Sequence, residues 1–326
     1  MKGIVIPINL GGISNRVKCL ISMLRFSDKY NRETLLYWPL NHTCGARFSD
    51  LFEFNIKEIN RGWFDKINRK DIKKVEKDSI LMENYPQKYI TNGTCRFLLT
   101  REELEKYPSL RNKGEFNENG IEFIFSSVPD EVKRSMLCYL EKIKPIDSIT
   151  KIVKDFQRKY NLKNMIGVHI RRGDLADRKV SPGKVSTDEK FIKRMKKLVE
   201  KNPKIKFFLA TDSAEVENEM EKIFGDRIIK YQKTSFVRTD TKATQEGLID
   251  LLLLSKTRHI LGTYGSTFTE MAWWFGGCEA KVEIMKDLEK EKELFRNIKE
   301  EKRRVVPKVK KLILKIMSIL KLRKEI

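Results

Sequence analysis

Between residues 165 and 276 short apolar runs alternate with amphipathic ones, and this alternation restricts the fold more than any other feature of the chain. "MIGVHI" (165–170), "KIKFFLA" (204–210), "RIIKY" (227–231) and "RHILGT" (258–263) read as buried strands. "DEKFIKRMKKLVEKN" (188–202), "SAEVENEMEKIF" (213–224), "TQEGLIDLLLLSKT" (244–257) and "STFTEMAWWFG" (266–276) space their apolar residues as helices do. Strand, helix and strand in repetition need crossover connections. The result is a parallel sheet with helices on both faces, a doubly wound α/β domain.

The amino-terminal part opens in the same way. "GIVIPINL" (3–10) predicts a strand and "GGISNR" a turn. "RVKCLISMLRFSDKY" (16–30) predicts a helix with Val17, Leu20, Ile21 and Leu24 on one face, and "ETLLYW" (33–38) the next strand. Residues 41–125 are polar and interrupted, with "YPQKYITNGT" a loop; the helical stretch that follows breaks near Pro145. A length of 326 residues accommodates two such halves. The boundaries drawn are 1–150, 151–285, and a charged helix with a basic tail over 286–326.

Composition narrows the partners without choosing one. Hydrophobic residues are 40% of the chain, enough for a core, and the net charge of +22 attracts nucleic acid, anionic lipid or phosphorylated ligands. Residues 301–326 hold ten Lys/Arg and two Glu, so +8 of the excess is local. The five cysteines stand singly, without CxxC pairs, which argues against a zinc site or disulfide framework. Reduced thiols and a cytoplasmic location are expected. The first apolar run is too short for a signal peptide, and no run reaches the roughly 18 residues of a spanning helix.

Ligands of open α/β sheets bind outside the carboxyl ends of the strands. Three polar clusters fall there: "HIRRGD" (169–174), "TDS" (211–213) and "TYGST" (263–267). Arg171 and Arg172 offer planar donor forks suited to phosphate. Ser266 and Thr267 precede a helix, where hydroxyls and open amides meet the positive end of the dipole. A phosphate or pyrophosphate is the simplest anion for this rim. The alternative for the arginines is a structural pairing with Asp174, and for Ser266 a cap with no ligand role. His169 sits within the strand, where a satisfied core histidine is the default; Trp273 and Trp274 read as core. No GxxxxGK[ST] loop, GxGxxG turn, D-x-D pair, HExxH or GxSxG occurs.

The clusters, in this order, resemble the motifs of the GDP-fucose-dependent fucosyltransferases, the superfamily of the α1,6- and protein O-fucosyltransferases. "HIRRGD" matches the first motif, "FFLATDSAEV" is similar to the second, and "GLIDLLLLSKTRHILGTYGSTFTEMAW" to the third. "NLGGISNRVKCLISMLRFS" resembles the family's first glycine turn and helix. The resemblance implies a GT-B fold of two Rossmann-like domains and an inverting, metal-independent transfer from GDP-fucose to a glycan or glycolipid, with no cofactor and no nucleic-acid partner. It places Arg171 on the diphosphate with Arg172 and Asp174 supporting, Asp250 on guanine, and Ser266 and Thr267 at phosphate. Gly11, Gly12 and Asn15 match the turn that approaches the donor, while His169, Thr211 and Asp212 line the same rim. The family's carboxylate beyond the arginine motif is not matched; Asp177 is the nearest candidate base.

Three rival readings remain at this point: a transferase using another GDP-sugar, a nucleic-acid binder driven by the +22 charge, and an inactive glycan-binding scaffold. In the tail "RRVVPKVKKLILKIMSILKLRKEI" (303–326), Val309, Leu312, Ile313, Ile316, Met317 and Leu320 recur at helical spacing, bordered by Lys308, Lys311 and Lys315. This is the pattern of a helix lying on an anionic membrane surface, of one docked on the body, or of one in a dimer contact.

Overall fold

The computed structural model describes residues 3–66, 72–74, 89–92, 101–108, 123–172 and 182–300. Asp174, Asp177 and the basic tail lie outside the described residues.

Two five-stranded parallel sheets organise the chain. The first is built from β1 (Ile4–Pro7), β2 (Glu33–Leu36), β4 (Lys57–Glu58), β5 (Ile72–Lys74) and β6 (Tyr89–Asn92), in the order β4-β2-β1-β6-β5. The second uses β8 (Ile166–Ile170), β9 (Phe207–Thr211), β10 (Ile228–Lys230), β11 (His259–Thr263) and β12 (Lys281–Met285), in the order β10-β9-β8-β11-β12. β3 (Phe52–Glu53), which follows β2, and β7 (Lys144–Pro145), which precedes the second sheet, form a short antiparallel pair. Counted within its own half, the second sheet has the order 3-2-1-4-5 of a nucleotide-binding doubly wound sheet. Its strand order reverses between β8 and β11. β8 and β9 are buried at every position, so their side chains read as apolar runs without alternation.

The helices are α1 (Ile13–Lys29), α2 (Arg61–Asp65), α3 (Arg101–Lys106), α4 (Asp130–Leu140), α5 (Asp147–Lys159), α6 (Asp188–Lys201), α7 (Ala214–Phe224), α8 (Thr241–Leu254) and α9 (Thr267–Phe275). Residues 288–300 are also helical. The predicted break at Pro145 separates α4 from α5. The helix predicted over 244–257 starts three residues earlier, because Asp240 caps it by accepting the Lys242 N–H at 3.0 Å.

α1 is buried far beyond its apolar stripe. Arg16, Lys18 and Arg25 are 3%, 0% and 4% exposed. One face packs on β1 and β2, while α4 and α9 cover the other. Consequently one apolar cluster runs from Val17 and Leu20 of α1 through Met136 and Leu140 to Phe208, Leu248 to Leu254, Trp273 and Trp274. Both tryptophans are interior, with Trp273 edge-on to Phe125 at 5.2 Å between ring centroids. A second cluster, built on Val168, Phe191, Leu209 and Leu261, fills the other face of the second sheet.

Candidate active site at the strand-order reversal

The crevice follows from backbone register. β8 pairs with β9 through five residues, ending at Ile170↔Thr211. Against β11 it pairs only as far as Val168↔Leu261. Beyond that point the strands part, and the Thr263 hydroxyl spans the gap. It donates to the His169 carbonyl at 2.8 Å and accepts the Arg171 N–H at 3.0 Å.

Arg171 and Arg172 leave β8 here. Asp212, at the end of β9, gathers the donors around it. Its Oδ1 accepts the Arg172 N–H at 2.7 Å; its Oδ2 pairs with the Arg171 guanidinium and with Arg238 Nη2 at 2.9 Å. The Arg172 side chain turns away, donating to the Arg171 carbonyl at 2.8 Å and pairing with Asp188 at the start of α6. Arg171 and Arg238 are 13% and 29% exposed, so the two guanidiniums share one partly open place. The Thr211 hydroxyl next to them is buried with no hydrogen-bond partner among the described residues.

On the far side of the gap, Ser266 and Thr267 are half-buried at the start of α9, after Gly265 in the left-handed region at φ 65°. Ser266 Oγ accepts the Phe268 N–H at 3.3 Å. It therefore caps the helix, which leaves the first amides at the crevice. His169 is 3% exposed; its Nδ1 lies 2.8 Å from Thr269 Oγ1 and its ring stacks on Phe268. Burial, then the charges of Arg171 and Arg172, push its pKa down to about 3, so the imidazole is neutral at physiological pH.

Asp250 sits on α8, 2% exposed. Oδ2 accepts from Lys233 Nζ at 2.9 Å and Oδ1 has no partner among the described residues. Burial raises its pKa to about 6, with Lys233 opposing the shift. In the first half, Gly11 donates its N–H to Asn9 Oδ1 at 2.8 Å, and a β-carbon on it would come within 2.6 Å of Asn15 Nδ2. Gly12 forms the cap position of α1 in an extended conformation, and Asn15 Oδ1 is buried without a partner among the described residues. Arg16 Nε and Nη1 donate to Gly11 O and Pro39 O, each at 2.7 Å, over the Trp38 ring.

The two halves meet near these residues. Lys18 on α1 pairs with Glu270 on α9 at 2.7 Å, with both side chains buried. Lys18 is six residues past Gly12 and Glu270 four past Ser266, or roughly 9 and 6 Å along their axes. Both helix starts thus belong to one region. Gly45 packs directly on the Thr239 backbone, where no β-carbon fits, and its carbonyl accepts Thr241 Oγ1 at 2.9 Å.

Arg238, Asp188 and Lys233 were not singled out from sequence, where nothing sets them apart from their polar neighbours; only the tertiary fold brings them to the rim. Among the described residues no group of three His, Cys, Asp or Glu is arranged to hold a metal, and no helix is long and apolar enough to cross a membrane.

An open doubly wound sheet with arginines and a helix start at its reversal point defines an anion-binding nucleotide site by class. Solved structures similar to this chain include fucosyltransferases. NodZ α-1,6-fucosyltransferase soaked with GDP-fucose matches at a TM-score of 0.52 and 17% identity, covering 84% of this chain and 93% of that one. Fucosyltransferase NodZ from Bradyrhizobium matches at 0.50 and 17% identity, covering 83% and 92%. A point variant of Arabidopsis thaliana FUT1 in complex with GDP matches at 0.55 and 14% identity, covering 87% and 70%. The chain has the fold of these fucosyltransferases. No protein-family model and no curated protein matches it.

Proposed function

We propose that the protein is an inverting glycosyltransferase that moves fucose from GDP-fucose to a glycan acceptor without a metal ion. The observation that supports this most is the meeting of Arg171, Arg238 and the start of α9 across the gap between β8 and β11. Cleaving a sugar–phosphate bond leaves negative charge on the diphosphate. Donors fixed in advance around that charge stabilise it without reorganising. Guanidiniums stay charged at any working pH, and Asp212 holds two of them in place. In this reading Ser266, Thr267 and the Thr211 hydroxyl complete the phosphate contacts. Gly11, Gly12 and Asn15 close the donor site from the first half, and His169 backs Arg171 from inside. Asp250 reads guanine through its open Oδ1, while Asp174 supports the site and Asp177 takes the acceptor proton.

Residues 1–150 then serve the acceptor and 151–285 the donor. The basic segment 304–326 holds the enzyme at an anionic membrane face, where glycolipid acceptors are available; co-sedimentation with anionic vesicles, with and without that segment, tests this part.

The donor assignment is tested by thermal unfolding with GDP, UDP and ADP, followed by transfer assays in EDTA. GDP alone is expected to raise the midpoint, and transfer from GDP-fucose to continue in chelator. Equal stabilisation by UDP or ADP overturns the donor. Activity that vanishes in EDTA and returns with Mn²⁺ or Mg²⁺ overturns the metal-free mechanism.

A further inference from the structure

The segment after β10 is tied down by buried charges that the phosphate site does not use. Lys233 Nζ lies 2.9 Å from Asp250 Oδ2 and 2.7 Å from Glu217 Oε1 on α7; the three side chains are 5%, 3% and 9% exposed. Glu246, one turn before Asp250, accepts the Thr234 N–H at 2.9 Å and its hydroxyl at 2.8 Å. Three acids fix the backbone and ammonium of this segment, yet Asp250 Oδ1 remains a buried acceptor without a partner among the described residues. A buried acceptor left open costs free energy unless a ligand fills it.

Open space lies about one turn earlier on the same helix. Gly247 is three residues before Asp250 and so on the same face of α8. A β-carbon there would meet nothing within 4 Å. Phe236 flanks the ammonium at 5.3 Å from its ring centroid.

The order of polar atoms along this edge is Oδ1, Oδ2, ammonium: acceptor, acceptor, donor. Guanine presents N2–H, N1–H and O6, which is donor, donor, acceptor. Because Lys233 adjoins Oδ2 rather than Oδ1, the register that puts N2–H on Oδ1 and N1–H on Oδ2 also brings O6 to the ammonium. Lys233 has used two of its three donors, leaving one for O6. Adenine reverses the pattern: its unprotonated N1 faces the carboxylate and its amino group faces the ammonium. We infer that Lys233 is a specificity-determining residue, which admits guanine to this face of α8 by binding O6 and rejects adenine by charge. The inference rests on the GDP reading above and adds to it a second base contact, from a different segment.

Lys233 also sets the charge state of its neighbour. The titratable groups facing Asp250 are Lys233 and Tyr231 from the strand side, Glu217 from α7, and Glu246 from its own helix; Lys230 lies one pair further out, on Glu217 and Glu221. Removing the ammonium leaves acids facing acids, so Asp250 takes its proton at a higher pH.

The test is calorimetric titration of the full chain with GDP, IDP, ADP and 6-thio-GDP, using wild type, K233M and D250N. The sulfur of 6-thio-GDP is a weak acceptor, but N1–H and N2–H are kept. It is expected to bind wild type about tenfold or more weakly than GDP, the effect of losing one charged hydrogen bond. K233M is expected to lower the GDP-to-ADP preference at least about tenfold and to move the acid-side loss of GDP affinity to higher pH. The GDP-to-IDP preference, which reports N2–H at Asp250, should persist in K233M and collapse in D250N. If wild type prefers GDP to ADP but binds 6-thio-GDP equally well, the Lys233 assignment falls while the GDP reading stands. Equal losses for GDP, IDP and ADP in K233M also overturn it, since they show a purely structural role. If wild type does not prefer GDP to ADP, the GDP reading itself fails. The wild-type comparison decides the matter even where K233M does not fold.

Discussion

At the residue scale, Asp212 shows how a carboxylate can serve an anion site. By itself it repels phosphate, but it is the group that keeps Arg171 and Arg238 side by side. Asp212→Asn keeps the shape and loses the charge that holds them. GDP affinity is expected to fall roughly tenfold, in line with a charged hydrogen bond; titration showing unchanged or tighter binding would contradict the anchoring role. His169 makes a prediction about acid. The group binds its proton near 6.5 when unfolded and about 3 when folded. Between these values the unfolded chain carries more protons, so stability present at pH 7 is lost as pH falls through this window. The loss is on the order of a few kcal/mol. His169→Gln removes this titration, so urea midpoints at pH 7, 5.5 and 4.5 should decline less steeply than in wild type. Both residues were named from sequence as lining the rim. What each does there was not legible, because burial and partners depend on α9 and the segment after β10.

At the element scale, the start of α9 has two functions that mutation can separate. Ser266 caps the helix and stands at the anion site. Ser266→Ala should cost about 1 kcal/mol of stability through the lost cap. Ser266→Asp keeps a good cap and favours the dipole, yet places a negative charge where the diphosphate binds. The expected result is a retained melting temperature with GDP affinity reduced tenfold or more. GDP binding like that of wild type would show that this helix end is not the phosphate site. The strand and helix pattern of the second half was readable because each element has a clean apolar period. β12 went unread because Lys281, Glu283 and the half-buried Val282 break the run in an edge strand. The short strands β4, β5 and β6 fall in the polar stretch 41–125, where pairing rather than propensity makes a strand.

At the scale of the whole molecule, Lys18 and Glu270 bind the first half to the second inside a continuous core. Lys18→Met removes the cation beside a buried carboxylate and should cost about 3–5 kcal/mol. The double variant Lys18→Met with Glu270→Leu should recover most of that loss, since an apolar pair replaces the buried charges. Urea unfolding followed by both circular dichroism and tryptophan fluorescence should show one transition for the two halves. Separate transitions would mean that the shared core does not couple them.

Sequence alone determined the α/β class, the parallel second sheet and the rim on which its polar residues gather. These depend on local period and on the rule that strand ends carry the ligand, and both can be read along the chain. It also placed Arg171, Ser266 and Asp250 as candidates, through a resemblance carried by contiguous motifs. Only the tertiary structure decided that Asp212 joins Arg171 to Arg238, that Lys233 pairs with Asp250, and that α1 is enclosed on both faces with its charges buried. Those contacts join residues far apart in sequence, and a single polar residue in a loop carries no period that reveals its partner. Where charges are buried, the fold chooses the pairs, because an ion inside the core is stable only beside the opposite charge that packing brings to it.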